Sequence, residues 1–115
     1  MACHVPDADR ALAHARARGA ATHVLGPVTS MAEALDAIGA AMNFPAWYGR
    51  NLDALYDCLV DLSWQPPGEH VLIWTGYHEF EAVDPDGYRA VVSVLDEAAA
   101  AASSGRPLSV FLADA

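Results

Sequence analysis

His70-Val71-Leu72-Ile73-Trp74 is a continuous apolar run entered by a histidine, with Pro66-Pro67-Gly68 before it and Gly76 after it. It is too short for a helix with a buried stripe and lacks the alternation of a half-exposed strand. It therefore reads as a strand covered on both faces. Thr22 to Leu25, broken by Gly26-Pro27, and Leu108 to Leu112 are two further strand candidates. Helical segments separate all three, which predicts an α/β fold class with a small parallel sheet. At 115 residues the chain holds one such domain.

The helical segments carry their own boundary signals. Asp7 to Arg18 is alanine-rich, with Leu12 on its apolar side and Gly19 as a C-terminal cap, and reads as an appendage to the domain. Ser30 and Glu33 form a capping box for a helix from Met31 to Met42, whose Met31, Leu35, Ile38 and Met42 share one side. Asn43-Phe44-Pro45 ends it, and an aromatic loop through Trp47, Tyr48 and Gly49 leads to a helix capped by Asn51 and reaching Leu62. Thr75 to Val83 is short and irregular or helical. Asp84-Pro85-Asp86-Gly87 reads as a turn, followed by a long helix from Tyr88 to Ser103 with Val91, Val92, Val94, Leu95 and Ala98 inward.

Charge narrows the function. Fifteen acidic residues face six arginines and no lysine, for a net charge of -9. A surface for nucleic acid needs cations to displace counterions from phosphates, so the expected partner is a basic protein and not a nucleic acid. No apolar segment approaches the length of a membrane span, and no secretory leader is visible, so the chain is expected in the cytoplasm and off the membrane. Cys3 and Cys58 are too few for a disulfide framework and read as free thiols, Cys58 in the core.

The helix from Asn51 to Leu62 is two-sided. A step of about 100° per residue groups Leu52, Leu55, Leu59 and Leu62, with Cys58 beside them, and sets Asp53, Asp57 and Asp61 roughly opposite. Like charges spaced i, i+4 cost a helix about 0.2–0.5 kcal/mol per pair. The helix dipole offsets this only for Asp53, in the first turn. A solvated polar face is the ordinary reading of such charges, but Trp47, Tyr48, Tyr56 and Trp64 surround them, as in an interaction surface. At least one of Trp47 and Tyr48 is expected to pack on the core.

The stretch Phe44-Pro45-Ala46-Trp47-Tyr48-Gly49-Arg50-Asn51-Leu52-Asp53-Ala54-Leu55-Tyr56-Asp57-Cys58-Leu59 closely resembles the signature of the barstar family. The resemblance extends more loosely through Val71 to Trp74, Glu79-Phe80 and Leu95 to Ala98 into the last strand, and leaves the first twenty residues outside. It implies residues 1–20 as a helical extension and 21–115 as an inhibitor domain with a three-stranded parallel sheet. It also implies an intracellular inhibitor of a secreted guanyl-specific ribonuclease, without catalysis or cofactor.

By the same resemblance, Asp57 stands where a substrate phosphate would bind, Asp53 and Glu97 meet other cations, and Trp47 lies against the nuclease. Gly49, Asn51, Leu52, Tyr56, Val60 and Asp61 complete the implied contact. Trp47 and Tyr56 replace the usual tyrosine and tryptophan, and Leu62 a frequent tryptophan. Ala101 stands where a second acid is common, while Asp61 adds one.

A barstar-like immunity or adaptor protein for a different toxin or partner is the alternative, permitted by the altered aromatics. A hydrolase using a His and Asp pair lacks a nucleophile in a recognisable turn. His4, His14, His23, His70 and His78 show no compact metal-ligand spacing and read as ordinary histidines. The Asp84 turn lacks the downstream glutamate of a calcium loop.

Overall fold

A computed structural model describes residues 2–114. Nine elements follow in order: β1 (Ala2–Val5), α1 (Ala8–Ala17), β2 (Ala21–Leu25), α2 (Met31–Ala41), α3 (Leu52–Asp61), β3 (His70–Thr75), α4 (His78–Val83), α5 (Pro85–Ala101) and β4 (Leu108–Ala113). All strand pairs are parallel, in the order β1-β4-β3-β2. The α/β class and the parallel sheet agree with expectation, but the sheet has four strands where the sequence suggested three.

The extra strand corrects the reading of the N-terminal segment. Ala2–Val5 pairs in register with Val110 to Ala113 and closes the β4 edge, and α1 packs on β2 and β3. This segment is a structural layer and not an appendage. Its strand was invisible because it is recruited through backbone hydrogen bonds, which any residue can make.

The buried strand β3 divides the core by alternation. Leu72 and Trp74 point to one face, where Leu35, Ile38, Leu55, Leu59, Val91 and Leu95 of α2, α3 and α5 cover them. Val71 and Ile73 point to the other, under Ala15 of α1. Trp74 and Phe80 are fully buried.

The helix starts follow local chemistry. Ser30 Oγ accepts from the Glu33 N–H at 3.1 Å, and the Glu33 carboxylate accepts from the Thr29 N–H at 3.0 Å. Asp84 is a second correction. Its carboxylate caps the Gly87 N–H at 3.0 Å with Pro85 in the first helical turn, so Asp84-Pro85-Asp86-Gly87 opens α5 and is no separate turn. The helix ends at Ala101, two residues before the expected Ser103, and Val92 and Val94 are only half-buried.

Gly76 follows β3 at φ +69, and a Cβ there would lie 2.7 Å from the Pro27 Cα. Both the backbone conformation and the contact exclude a side chain. Gly76→Ala is expected to lower stability by about 1–3 kcal/mol, read as a lower urea midpoint with an unchanged slope.

Candidate functional site

The loop between α2 and α3 is held by its aromatics. Tyr48 Oη donates to the Leu35 carbonyl at 3.1 Å, and its ring lies over Gly39 so closely that a Cβ there would come within 2.9 Å. A glycine inside a helix costs about 1 kcal/mol, and here it makes room for the ring. Burial, chiefly, pushes the Tyr48 hydroxyl up to about 12, so it stays a neutral donor. Phe44 packs edge-on to Tyr48 and Trp64, and Trp64 Nε1 donates to the Met42 carbonyl at 3.2 Å. Trp47 stands on this block, edge-on to Trp64, and is 64% exposed. Of the two loop aromatics, Tyr48 packs inward and Trp47 faces solvent.

Arg50 then turns the chain at φ +53, a left-handed position unusual for a side chain this large. Asn51 Oδ1 accepts from the Ala54 N–H at 2.8 Å and starts α3. Gly49 lies against this cap, its carbonyl 3.4 Å from Asn51 Nδ2. Both residues therefore set the entry of the helix.

Along α3, Leu55, Cys58, Leu59 and the left-handed cap Leu62 are buried, and Asp53, Asp57 and Asp61 are exposed. Burial, with Asp57 and Asp61 on either side in the chain, raises the Cys58 thiol above its ordinary range and keeps it neutral.

Leu52, Asp53, Tyr56 and Asp57 of α3 meet Val94 and Glu97 of α5 around a shallow, open concavity of about 460 Å³. Its carboxylates come from both helices, and Leu52, Tyr56 and Val94 complete its lining. Val94, read from sequence as a core residue, is the missed member. Its one signal was its position one helical turn before Glu97. Trp47, Gly49, Asn51, Val60 and Asp61 lie outside the concavity. Val60 is half-buried against the core, and Asp61 accepts a hydrogen bond from Ser63 Oγ at 3.0 Å.

Among the described residues, Asp53, Asp57 and Glu97 have no hydrogen-bond or ion-pair partner. The arginines of this half of the chain are engaged elsewhere. Arg50 pairs with Asp36 at 3.3 Å, Arg89 with Asp86, and Arg106 Nε donates to the Gln65 carbonyl at 2.9 Å. Among the described residues, no group of three or more His, Cys, Asp or Glu side chains is placed to hold a metal ion. No described helix is long and apolar enough to cross a membrane. The site is a set of charged acceptors beside apolar and aromatic side chains, suited to arginine and lysine side chains.

The family model described as barstar (barnase inhibitor) matches residues 20–113. The chain belongs to the barstar family. No curated protein matches it. The match covers every element from β2 to β4 and leaves β1 and α1 outside. Barstar-family members are protein inhibitors that bind ribonucleases, which agrees with a face able to receive cationic side chains.

Proposed function

We propose that this barstar-family chain inhibits a basic, guanyl-specific, barnase-type ribonuclease by covering its active site with the α3–α5 face, Asp57 at the centre. The observation that carries this reading is the shared concavity in which Asp53, Asp57 and Glu97 stand exposed and unneutralised among Leu52, Tyr56 and Val94. A ribonuclease must hold cations where it binds the phosphate of RNA. A carboxylate fixed on a helix can occupy that position with no bond for the enzyme to cleave. RNA is then excluded by both bulk and charge. The chain needs neither catalysis nor a cofactor for this, and it would act in the cytoplasm, where the cell's own RNA is at risk.

Trp47, raised on its aromatic block, supplies the large exposed side chain that would lie against the enzyme beside the charges. Asp61, displaced toward the end of α3, extends the acidic face past the concavity.

The direct test titrates the protein against a panel of small microbial ribonucleases and scores residual RNA cleavage. Stoichiometric loss of cleavage with one of them is the expected result. Inhibition of none, together with recovery of a toxin that is not a nuclease from the protein's own cell, would move the reading to an immunity or adaptor protein.

Association with the inhibited enzyme is expected to slow as salt rises. Opposite charges on two such faces raise the on-rate by roughly 10- to 1,000-fold at low salt, a range for which barstar-family complexes are themselves an example. Stopped-flow mixing at 0.05 and 0.5 M salt measures this, and a rate unchanged by salt would remove the electrostatic role of the face.

A further inference from the structure

His23 of β2 and His70 of β3 lie on the sheet face that α2 covers, only 9% and 1% exposed. Their rings meet end to end, with His23 Nε2 3.0 Å from His70 Nδ1, ring planes 25° apart and centroids 5.3 Å apart. Each outer nitrogen faces a carbonyl. His23 Nδ1 is 3.1 Å from the oxygen of Ala41, the last residue of α2, and His70 Nε2 is 2.9 Å from the oxygen of Pro66 in the α3–β3 loop.

This row has three contacts at hydrogen-bond distance, and each needs one hydrogen. A carbonyl only accepts, and a neutral imidazole carries one N–H and one lone pair. Two neutral rings that serve both carbonyls turn their remaining lone pairs toward each other. If one ring instead donates to the other, a carbonyl loses its donor. Every neutral arrangement therefore leaves one contact repulsive. A single added proton satisfies all three, and a second would set two N–H groups head to head.

We propose that His23 and His70 form one proton-binding site, which takes up a single proton shared across the Nε2–Nδ1 contact and excludes a second.

The surroundings favour one charge and not two. On α2, Glu33 is held by Thr29 and Asp36 by Arg50; beside His70, Glu69 is held by Arg18. The cation Arg106 donates to the carbonyl of Gln65, the residue before Pro66. Among the described residues, no carboxylate touches either ring. Burial pulls the His23 imidazole below its ordinary range; the Ala41 carbonyl opposes this, and His70 adds to the lowering.

The pair pins two backbone points on either side of the aromatic block. Met42, next to Ala41, accepts through its carbonyl from both Trp64 Nε1 and Gln65 Nε2. Opening the row would remove one tether between the α3–β3 loop and the end of α2 and leave the Met42 carbonyl contacts to hold the aromatic block.

The sign of the pH effect follows from counting protons. In the unfolded chain each histidine takes its own proton near pH 6.5, whereas the folded pair takes one between them. Once the unfolded chain holds two protons and the folded pair one, stability falls as pH falls further. The slope approaches about tenfold in the folding equilibrium constant per pH unit for the one proton withheld.

Imidazole ¹⁵N spectra of the full chain between pH 8 and 4.5 test the proposal without any partner. His23 and His70 are expected to titrate together and take up one proton in total, with the Trp64 indole N–H resonance retained through that step. Two separate full protonations, or no uptake across the range, would overturn it. Urea unfolding at pH 6.5 and 5 supplies the second readout. His23→Gln and His70→Gln should each flatten the pH dependence, and His14→Gln on exposed α1 should leave it as in the parent chain. If both pair variants keep the parent slope, the proposal fails. Should either variant not fold, the spectra of the parent chain decide alone.

Discussion

Replacing Asp57 by alanine is expected to weaken ribonuclease inhibition by about 30-fold to several thousandfold. Removing one member of a desolvated, hydrogen-bonded charge pair costs about 2–5 kcal/mol, a range that itself draws on barstar-family complexes. Asp57 is the middle carboxylate of its row and has no partner among the described residues, so its capacity as an acceptor is open to the enzyme. Asp36→Ala is the control. Asp36 lies on α2 in an exposed pair with Arg50, outside the concavity, and such pairs are worth about 1 kcal/mol at most.

Stability should move the other way. Asp57 repels Asp53 and Asp61 along α3, so its removal should leave the fold as stable or firmer by a few tenths of a kcal/mol. Inhibition constants for the two variants, beside urea midpoints for both, make the measurement. Equal losses of inhibition would remove Asp57 from the centre of the site.

Deleting residues 1–19 is the second large effect, with an expected loss of at least about 3 kcal/mol of folding stability. The deletion removes β1 and α1 and uncovers Val71 and Ile73, both fully buried in the intact chain. Exposing an aliphatic side chain of this size costs about 1.5–3 kcal/mol each. The freed β4 edge also loses its backbone partner. Comparison of urea unfolding for the full and shortened chains measures the loss. A shortened chain as stable as the full one would mean that the first layer is an appendage after all.

Much of this architecture could be read from local pattern. The apolar run His70 to Trp74 became the central strand, and Ser30 and Asn51 cap the helices they were expected to cap. The 100° spacing on α3 separated Leu55, Leu59 and Leu62 from its aspartates correctly, while Leu52, expected with them, is half-buried and lines the concavity beside Asp53 and Asp57. These signals are local because caps act within one turn and burial repeats with the period of the helix. Asp84-Pro85-Asp86-Gly87 misled because a capped helix start and a turn use the same residues. Asp84 could belong to either until its carboxylate was seen on the Gly87 N–H.

The site itself was legible only in half. Periodicity set Asp53 and Asp57 on one side of α3 with Tyr56 near them, but it placed Leu52 on the core face, and Leu52 entered the site only through family resemblance. Glu97 entered through family resemblance, and Val94 was placed in the core because an apolar residue on a helix edge looks inward until the neighbouring helix is in place. The packing of α5 against α3 made that edge part of the lining of a concavity.

By itself, then, the sequence determined a parallel α/β domain with an acidic, two-faced helix, because hydrophobic period and capping chemistry operate between near neighbours in the chain. Tertiary structure alone decided four other things. It set Glu97 and Val94 beside Asp57, paired Arg18 with Glu69 and Arg50 with Asp36, and joined β1 to the edge of β4. It also brought His23 and His70 into contact from positions 47 residues apart. These depend on which surfaces remain to be covered once the whole chain has packed, and no residue records that in its immediate neighbours.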